Sequence, residues 1–406
     1  MHLKSEKGFY ATIFNLTVLV AGLGYFVDTF DFFLYNSMRV VSLMEFGLSG
    51  DVLTKMGIFI LNCQIGGAIL GGLFWGVLGD KFGRKRGLLI SILIYSIGMV
   101  INAFIQSPNS YALVRFFIGF GLAGEMGLGA TLVAETIHQS KRTFALALFT
   151  VLGVLGVTAA ALSIEFVNWR ISCLIGGGMG LALLLLRSAL FESKIYTDTA
   201  QTKLKRGSLR ELFGNWRSIR NYVCCVLILV PNYFITGILL TLAPEVGKAT
   251  EVQGMIKANI ALAIYFTAAV VGDLLGATLS NLFKSRRLVI AIFIIGNVTL
   301  ALTLLCTSHL ATWQFYTFTA AFGIFNLWAL DGTILVELFP THLRATATTS
   351  GLVFSRGAVL LMNLSFLALK FIGAAHALLI IGLIVLCLGL LSVWSLPESY
   401  NRSLSA

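Results

Sequence analysis

Of the 406 residues, 57% are apolar and only 12% are charged, about half the ~25% charged share of a soluble domain. A mean hydropathy of +0.90 argues against a water-exposed enzyme. The net charge of +11, from 29 Lys and Arg against 18 Asp and Glu, would suggest nucleic acid only if the basic residues were not distributed as a membrane topology signal.

A helix needs about 20 apolar residues to cross a hydrocarbon core of ~30 Å. Apolar runs of that kind predict twelve spans, at 12–36, 56–79, 87–106, 109–137, 143–166, 170–188, 221–243, 255–282, 287–306, 311–338, 345–371 and 376–396. Lys4 and Lys7 ahead of the first run imitate a signal peptide. The run's length, its Asp28 and Asp31, and the lack of a small-residue cleavage site keep it as a span. The expected fold is therefore an all-α integral membrane protein with twelve transmembrane helices. They form two pseudo-symmetric six-helix bundles, 1–188 and 221–406, joined by a linker loop at 189–220.

Basic residues orient the spans. With both termini cytoplasmic, Lys81, Arg84, Lys85, Arg86, Lys141, Arg142, Arg187, the linker's Lys194 to Arg220 and Lys284 to Arg287 all fall inside. Only Arg39, Lys55, Arg170, Lys248, Lys257 and Lys370 fall outside. That asymmetry explains the basic excess and predicts an inner-membrane protein without a nucleic-acid partner. The cysteines lie in apolar runs without metal spacing, and the histidines are scattered at segment ends. Neither set points to a metal or redox cofactor.

The halves repeat one another. Glu135 to Arg142 recurs as Glu337 to Arg344, displaced by 202. Asp80-Lys-Phe-Gly-Arg-Lys-Arg86 recurs, degraded, as Asn281-Leu-Phe-Lys-Ser-Arg-Arg287, displaced by 201. Phe191-Glu-Ser193 is echoed by Leu396-Pro-Glu-Ser399. Internal repeats with a site between them are the usual plan of a secondary transporter.

Gly76-Val-Leu-Gly-Asp-Lys-Phe-Gly-Arg-Lys-Arg86 resembles the signature loop of the major facilitator superfamily. Arg115-Phe-Phe-Ile-Gly-Phe-Gly121 resembles its fourth-helix arginine motif, and Glu337-Leu-Phe-Pro-Thr-His-Leu-Arg344 its motif after helix ten. Asp28-Thr-Phe-Asp-Phe-Phe-Leu-Tyr35 and Gly119-Phe-Gly-Leu-Ala-Gly-Glu-Met-Gly127 are similar to segments of its metabolite:proton symporter branch. Asp28, Ala123 and Met126 replace that branch's glutamate, glycine and tryptophan. The resemblance implies two bundles that rock about a central cavity. Gly76, Asp80, Gly83, Arg84, Glu135, Arg142, Asp273, Asp331, Glu337 and Arg344 are the candidate gating residues. A carboxylate such as Asp80 at a helix C-terminus faces an unfavourable dipole and needs a partner on another helix.

Charges inside the bilayer are costly and need a reason. Asp28 and Asp31 lie one helical turn apart, so one of the two is expected to hold a proton. They and Glu125 are the proton-coupling candidates, although Glu125 also suits a structural helix–helix hydrogen bond. Arg115 lies roughly as deep as Asp31 and either compensates one aspartate or reaches to the interface. Arg356 keeps its charge at any physiological pH. It meets either a substrate carboxylate or a permanent partner, Asp331 or Asp273. Asn232 follows the helix-breaking Pro231. With Arg115 and Arg356 it makes up the candidate substrate contacts. The function expected is proton-coupled import of a small organic anion or zwitterion by a monomer, with a proton gradient in place of a cofactor. The alternatives are a proton-coupled exporter and a non-transporting sensor.

Overall fold

The structure, a computed structural model, describes residues 16–137, 141–188 and 212–400. The linker up to residue 211, the basic residues Lys4, Lys7, Lys194, Lys203, Lys205, Arg206, Arg210 and Arg402, the Phe191–Ser193 repeat and the Arg142 side chain lie outside the described parts. The first six helices are α1 (Leu16–Glu45), α2 (Gly50–Phe82), α3 (Arg84–Asn102), α4 (Pro108–Thr136), α5 (Arg142–Phe166) and α6 (Trp169–Ser188). The second six are α7 (Trp216–Phe234), α8 (Ala258–Leu282), α9 (Arg286–Cys306), α10 (Thr312–Ile324 and Trp328–Leu338), α11 (Thr341–Leu369) and α12 (Ala374–Ser395). No strand occurs among the described residues beyond an isolated bridge between Gln253 and Ala311.

Among the described residues, eleven helices are long and apolar enough to cross a membrane. The 29-residue α11, roughly 43 Å long at ~1.5 Å per residue, supplies the twelfth. Their outer faces carry the large exposed apolar side chains, among them Leu185, Leu361, Phe371 and Trp394, as lipid-facing surface requires. Cys306 and Cys387 also lie on that exposed surface, whereas Cys173, Cys224 and Cys225 are buried.

Helix ends follow local chemistry. Ser107 caps α4 by accepting the Ser110 N–H at 3.3 Å, with Pro108 at the first helical position. Ser285 caps α9 through the Leu288 N–H at 3.2 Å. Gly83 closes α2 and opens α3 at φ 102°, a left-handed conformation that suits glycine. Two spans deviate from regular helices. After Pro231, α7 runs on through a π turn at Ile235–Leu239 into a short helix, Ala243–Ala249. The predicted span 311–338 is broken at Phe325–Leu327, and Asp273 of α8 accepts the Ala329 N–H that the break leaves without a helical partner, at 3.0 Å.

The packing is duplicated. α2 packs on α4, α1 on α5 and α3 on α6; six helices later, α8 packs on α10, α7 on α11 and α9 on α12. The halves meet where α2 crosses α11 and, in the counterpart contact, where α5 crosses α8. Close approach needs glycine there. A Cβ on Gly76 would come within 2.7 Å of Thr346 Cα, and one on Gly127 within 2.3 Å of Thr349 Cα.

Candidate functional site

Titratable side chains gather at two levels. One is the end of the bundles that holds the α2–α3 and α10–α11 turns. Asp80 sits against the second turn of α11, where its oxygens accept the Ala345 N–H (3.2 Å), the Thr346 N–H (2.8 Å) and the Thr346 hydroxyl (2.7 Å). The positive end of the α11 dipole thus offsets the unfavourable one of α2. Arg84 pairs with Asp80 (3.3 Å) and Glu135 (3.1 Å) and donates to the Thr341 carbonyl (2.9 Å). Arg344 crosses from the second half to Glu135 (2.9 Å). All four side chains are buried, so this end is bolted shut.

The second half repeats part of this cluster. Arg286 pairs with Glu337 at 3.5 Å as Arg84 does with Glu135, and Arg287 donates to the Trp394 carbonyl as Lys85 does to that of Ser188. Arg84 therefore matches Arg286, which shifts the repeat proposed from the sequence by one residue. Gly83 aligns with Ser285, each directly before its helix, and Asp80 aligns with Leu282 rather than Asn281. No carboxylate stands in the second half where Asp80 stands in the first. Glu337 instead accepts the Ser399 hydroxyl (2.8 Å), and the Tyr400 ring stacks on Arg286 (5.1 Å).

The other level lies inside the bundles. Asp28 and Asp31 of α1 are both buried, and neither carboxyl has a hydrogen-bond partner among the described residues. The aspartates point to different neighbours. The charges around Asp28 are Arg356, Glu125 and Arg187. Asp31 faces α6, where a Cβ on Gly176 would meet its Oδ1 at 2.0 Å. Arg115 donates to the Asp31 carbonyl (3.3 Å) and lies over the Tyr35 and Tyr111 rings at 5.0 and 5.6 Å. It is fully buried, which replaces the reach to the interface with stacking inside the bundle.

Glu125 has a partner that the sequence reading assigned to the cytoplasmic edge. Arg187 of α6 turns inward, pairs with Glu125 at 2.6 Å and donates to the Ala21 carbonyl at 3.2 Å. Gly24 makes room for it, since a Cβ there would overlap the guanidinium. Hydropathy could not have shown this, because Arg187 ends its span just as a topogenic arginine would. Asn232 also turns away from the cavity. It donates to Asn326 (3.0 Å) and accepts from Tyr265 (2.8 Å) in a fully buried cluster within the second bundle. Asp331 is buried with both oxygens unpartnered, but Asp273, not Arg356, is the charge beside it.

Of the candidate substrate contacts, Arg356 lines a cavity. Its guanidinium lies 4.0 Å from the centre of the Phe32 ring, with Tyr233 and Asp28 beside it. The pocket around it is lined by Phe32, Phe33, Asn36, Tyr233, Thr236 and Val359 and holds about 40 Å³. Above it, sharing Asn36 and Thr241, opens a vestibule of about 540 Å³ at the end opposite Asp80. The molecule is closed at the Asp80 end, tight at its centre and open at the far end.

Two duplicated bundles around a cavity shut at one end are the construction of a multi-pass membrane carrier. The sequence profile of the Major Facilitator Superfamily matches residues 21–360, and the chain belongs to that superfamily: it is an integral membrane transporter, not an enzyme. Among its relatives is a Bacillus subtilis protein called NiaP, 26% identical over 83% of this chain and 84% of its own. The sialic acid transporter NanX of Escherichia coli is 24% identical over 83% and 82%. The niacin transporter NiaP of Acinetobacter baylyi is 32% identical over 40% of this chain and 38% of its own. The fold matches the proton:xylose symporter XylE with a TM-score of 0.73, at 18% identity over 98% of both chains. The E. coli fucose:proton symporter FucP matches with a TM-score of 0.69, at 15% identity over 94% and 98%.

Proposed function

We propose that the protein imports a small organic anion or zwitterion together with protons. One observation carries the reading: permanently charged Arg356 lines the pocket and is the foremost opposite charge acting on Asp28, a buried carboxyl without a hydrogen bond among the described residues. A buried carboxylate with no donor is costly as an anion unless a countercharge faces it. A substrate carboxylate that docks on Arg356 takes that countercharge away. Binding a proton at Asp28 is the relief, so anion and proton load together. Niacin and sialic acid, the solutes in two relatives' names, are both carboxylic acids. In this reading the Glu125–Arg187 pair and Asp31 continue the proton path into the first bundle.

The Asp80 end is cytoplasmic in this proposal, because Lys81, Lys85, Arg86, Lys284 and Arg287 surround it. The vestibule then opens outward from the plasma membrane, and the described state is ready to load. Uptake into proteoliposomes tests the function, using nicotinate, N-acetylneuraminate, nicotinamide and glucose under an imposed pH gradient. The proposal predicts that a carboxylate accumulates above equilibrium and that a protonophore abolishes the accumulation. Accumulation of only the neutral solutes, or a carboxylate flux indifferent to the gradient, would reject it.

A further inference from the structure

The outer vestibule has a charge pattern that the central site does not need. Arg39 of α1, Lys248 of the short helix after α7, and Lys257 just before α8 all line it, and no acidic residue does among the described residues. Among the described side chains, the acids nearest this lining bond elsewhere: Glu165 accepts from Asn259 at 3.1 Å, and Glu251 pairs with His309 at 3.1 Å. None of the three cations has an ion-pair partner among the described residues. Arg39 is held with its stem against Gly57 of α2, where a Cβ would lie 2.8 Å from its Cδ. The vestibule takes one cation from the first half and two from the second, so it exists as a unit only while this end is open. It leads through Asn36 and Thr241 to Arg356.

We infer that the vestibule is a first, low-affinity binding site for anionic solutes, formed by Arg39, Lys248 and Lys257, which collects carboxylates and passes them down to Arg356. A concave, low-dielectric mouth of one charge sign focuses the field and raises the local concentration of the opposite sign by about tenfold or more. Exposed lysines are screened by salt, which keeps this site weak and lets it release its ligand inward. Arg356, buried and facing Asp28, holds the anion more tightly. The inference rests on the anionic-substrate reading above. It names the residues that would select anions over neutral isosteres before the central pocket opens.

Thiol labelling reads the vestibule's field without depending on what is carried. The full-length protein, with Cys63, Cys306 and Cys387 replaced by serine and Ser37→Cys introduced in the vestibule wall, is reconstituted in lipid nanodiscs. It is then labelled with a sulfonate-bearing or a trimethylammonium-bearing methanethiosulfonate, which forms a mixed disulfide with the thiol and releases methanesulfinate, and the ratio of rates is divided by the ratio for a small thiol in solution. At low salt the sulfonate reagent should be favoured about tenfold or more. Lys248→Gln with Lys257→Gln should cut that preference several-fold, and added salt should do the same. A preference equal to that of the free thiol, one unmoved by the double substitution, or no labelling would overturn the inference. If the preference stands while proteoliposomes accumulate only neutral solutes, the carrier reading fails and the anion site survives.

Discussion

At the scale of single residues, the interior charges sort by whether they have a partner. Glu125 and Arg187 form a buried pair at 2.6 Å. Removing one member of such a pair typically costs about 3–5 kcal/mol, because the other is left charged and unpaired. Glu125→Gln should therefore lower the thermal midpoint in detergent, and Glu125→Gln with Arg187→Gln should recover much of the loss. If the double variant is as unstable as the sum of the singles, the pair is not the reason. Asp28 has no hydrogen bond to lose. Asp28→Asn takes a countercharge from Arg356 and should lower the midpoint yet still fold, abolish pH-driven accumulation and retain counterflow exchange of the same solute. Equal loss of accumulation and exchange would move Asp28 from proton binding to substrate binding. Gly119 belongs to the same scale: its Cβ would stand 2.0 Å from the Gln64 carbonyl oxygen, where α4 crosses α2. Gly119→Ala should destabilise by ~1–3 kcal/mol through overpacking, and an unchanged midpoint would show that the crossing can relax.

Among the helices, the decisive contact is α2 against α11. Asp80 accepts from two backbone N–H groups and a hydroxyl of α11 while it pairs with Arg84. These bonds exist only with this end shut. Each charge-assisted bond is worth ~1.5–3 kcal/mol, and ~1.4 kcal/mol shifts a two-state population tenfold. Asp80→Asn should therefore move the protein toward the state open at this end by about tenfold or more. The readout is a faster labelling, from this end, of a cysteine introduced between α2 and α11; an unchanged rate would contradict the latch. On the second half, Glu398 fastens the segment after α12. Its partial burial works to raise the carboxyl's pKa. The Ser285 hydroxyl and the N–H groups of Arg286, Tyr400 and Ser399 outweigh this and hold it below the ordinary glutamate range. A lowered carboxyl contributes stability that is complete above its unfolded pKa and fades as pH falls through its folded one. The midpoint gap between wild type and Glu398→Gln should thus be full at neutral pH and close on acidification. A gap independent of pH would mean that Glu398 acts through packing alone.

For the whole molecule, the span order and the duplication were legible because lipid demands long apolar runs and duplication preserves spacing. Asp80, Arg84, Glu135 and Arg344 were singled out by resemblance, and they meet in one cluster. What the sequence hid was direction. Arg187 reads as a topogenic edge residue and turns inward to Glu125. Asn232 reads as a cavity residue and turns to Tyr265 and Asn326. The break in α10 carries no proline, and its signal, Asp273, lies on another helix. A repeat read by letter also slipped by one residue, which only the matching Arg–Glu contacts could correct. Side-chain direction depends on which helices become neighbours, and an apolar run does not encode that.

The central claim is that an anion on Arg356 and a proton on Asp28 load together. Its most direct test is proton movement driven by solute alone. Wild-type protein in proteoliposomes, with no gradient imposed, receives the carboxylate that the uptake panel identifies while a dye reports external pH. The account predicts that the medium turns alkaline as protons enter with the solute, and that Asp28→Asn vesicles show solute exchange without the pH change. Wild-type uptake of the carboxylate at constant external pH, or an undiminished pH change in Asp28→Asn, would contradict it.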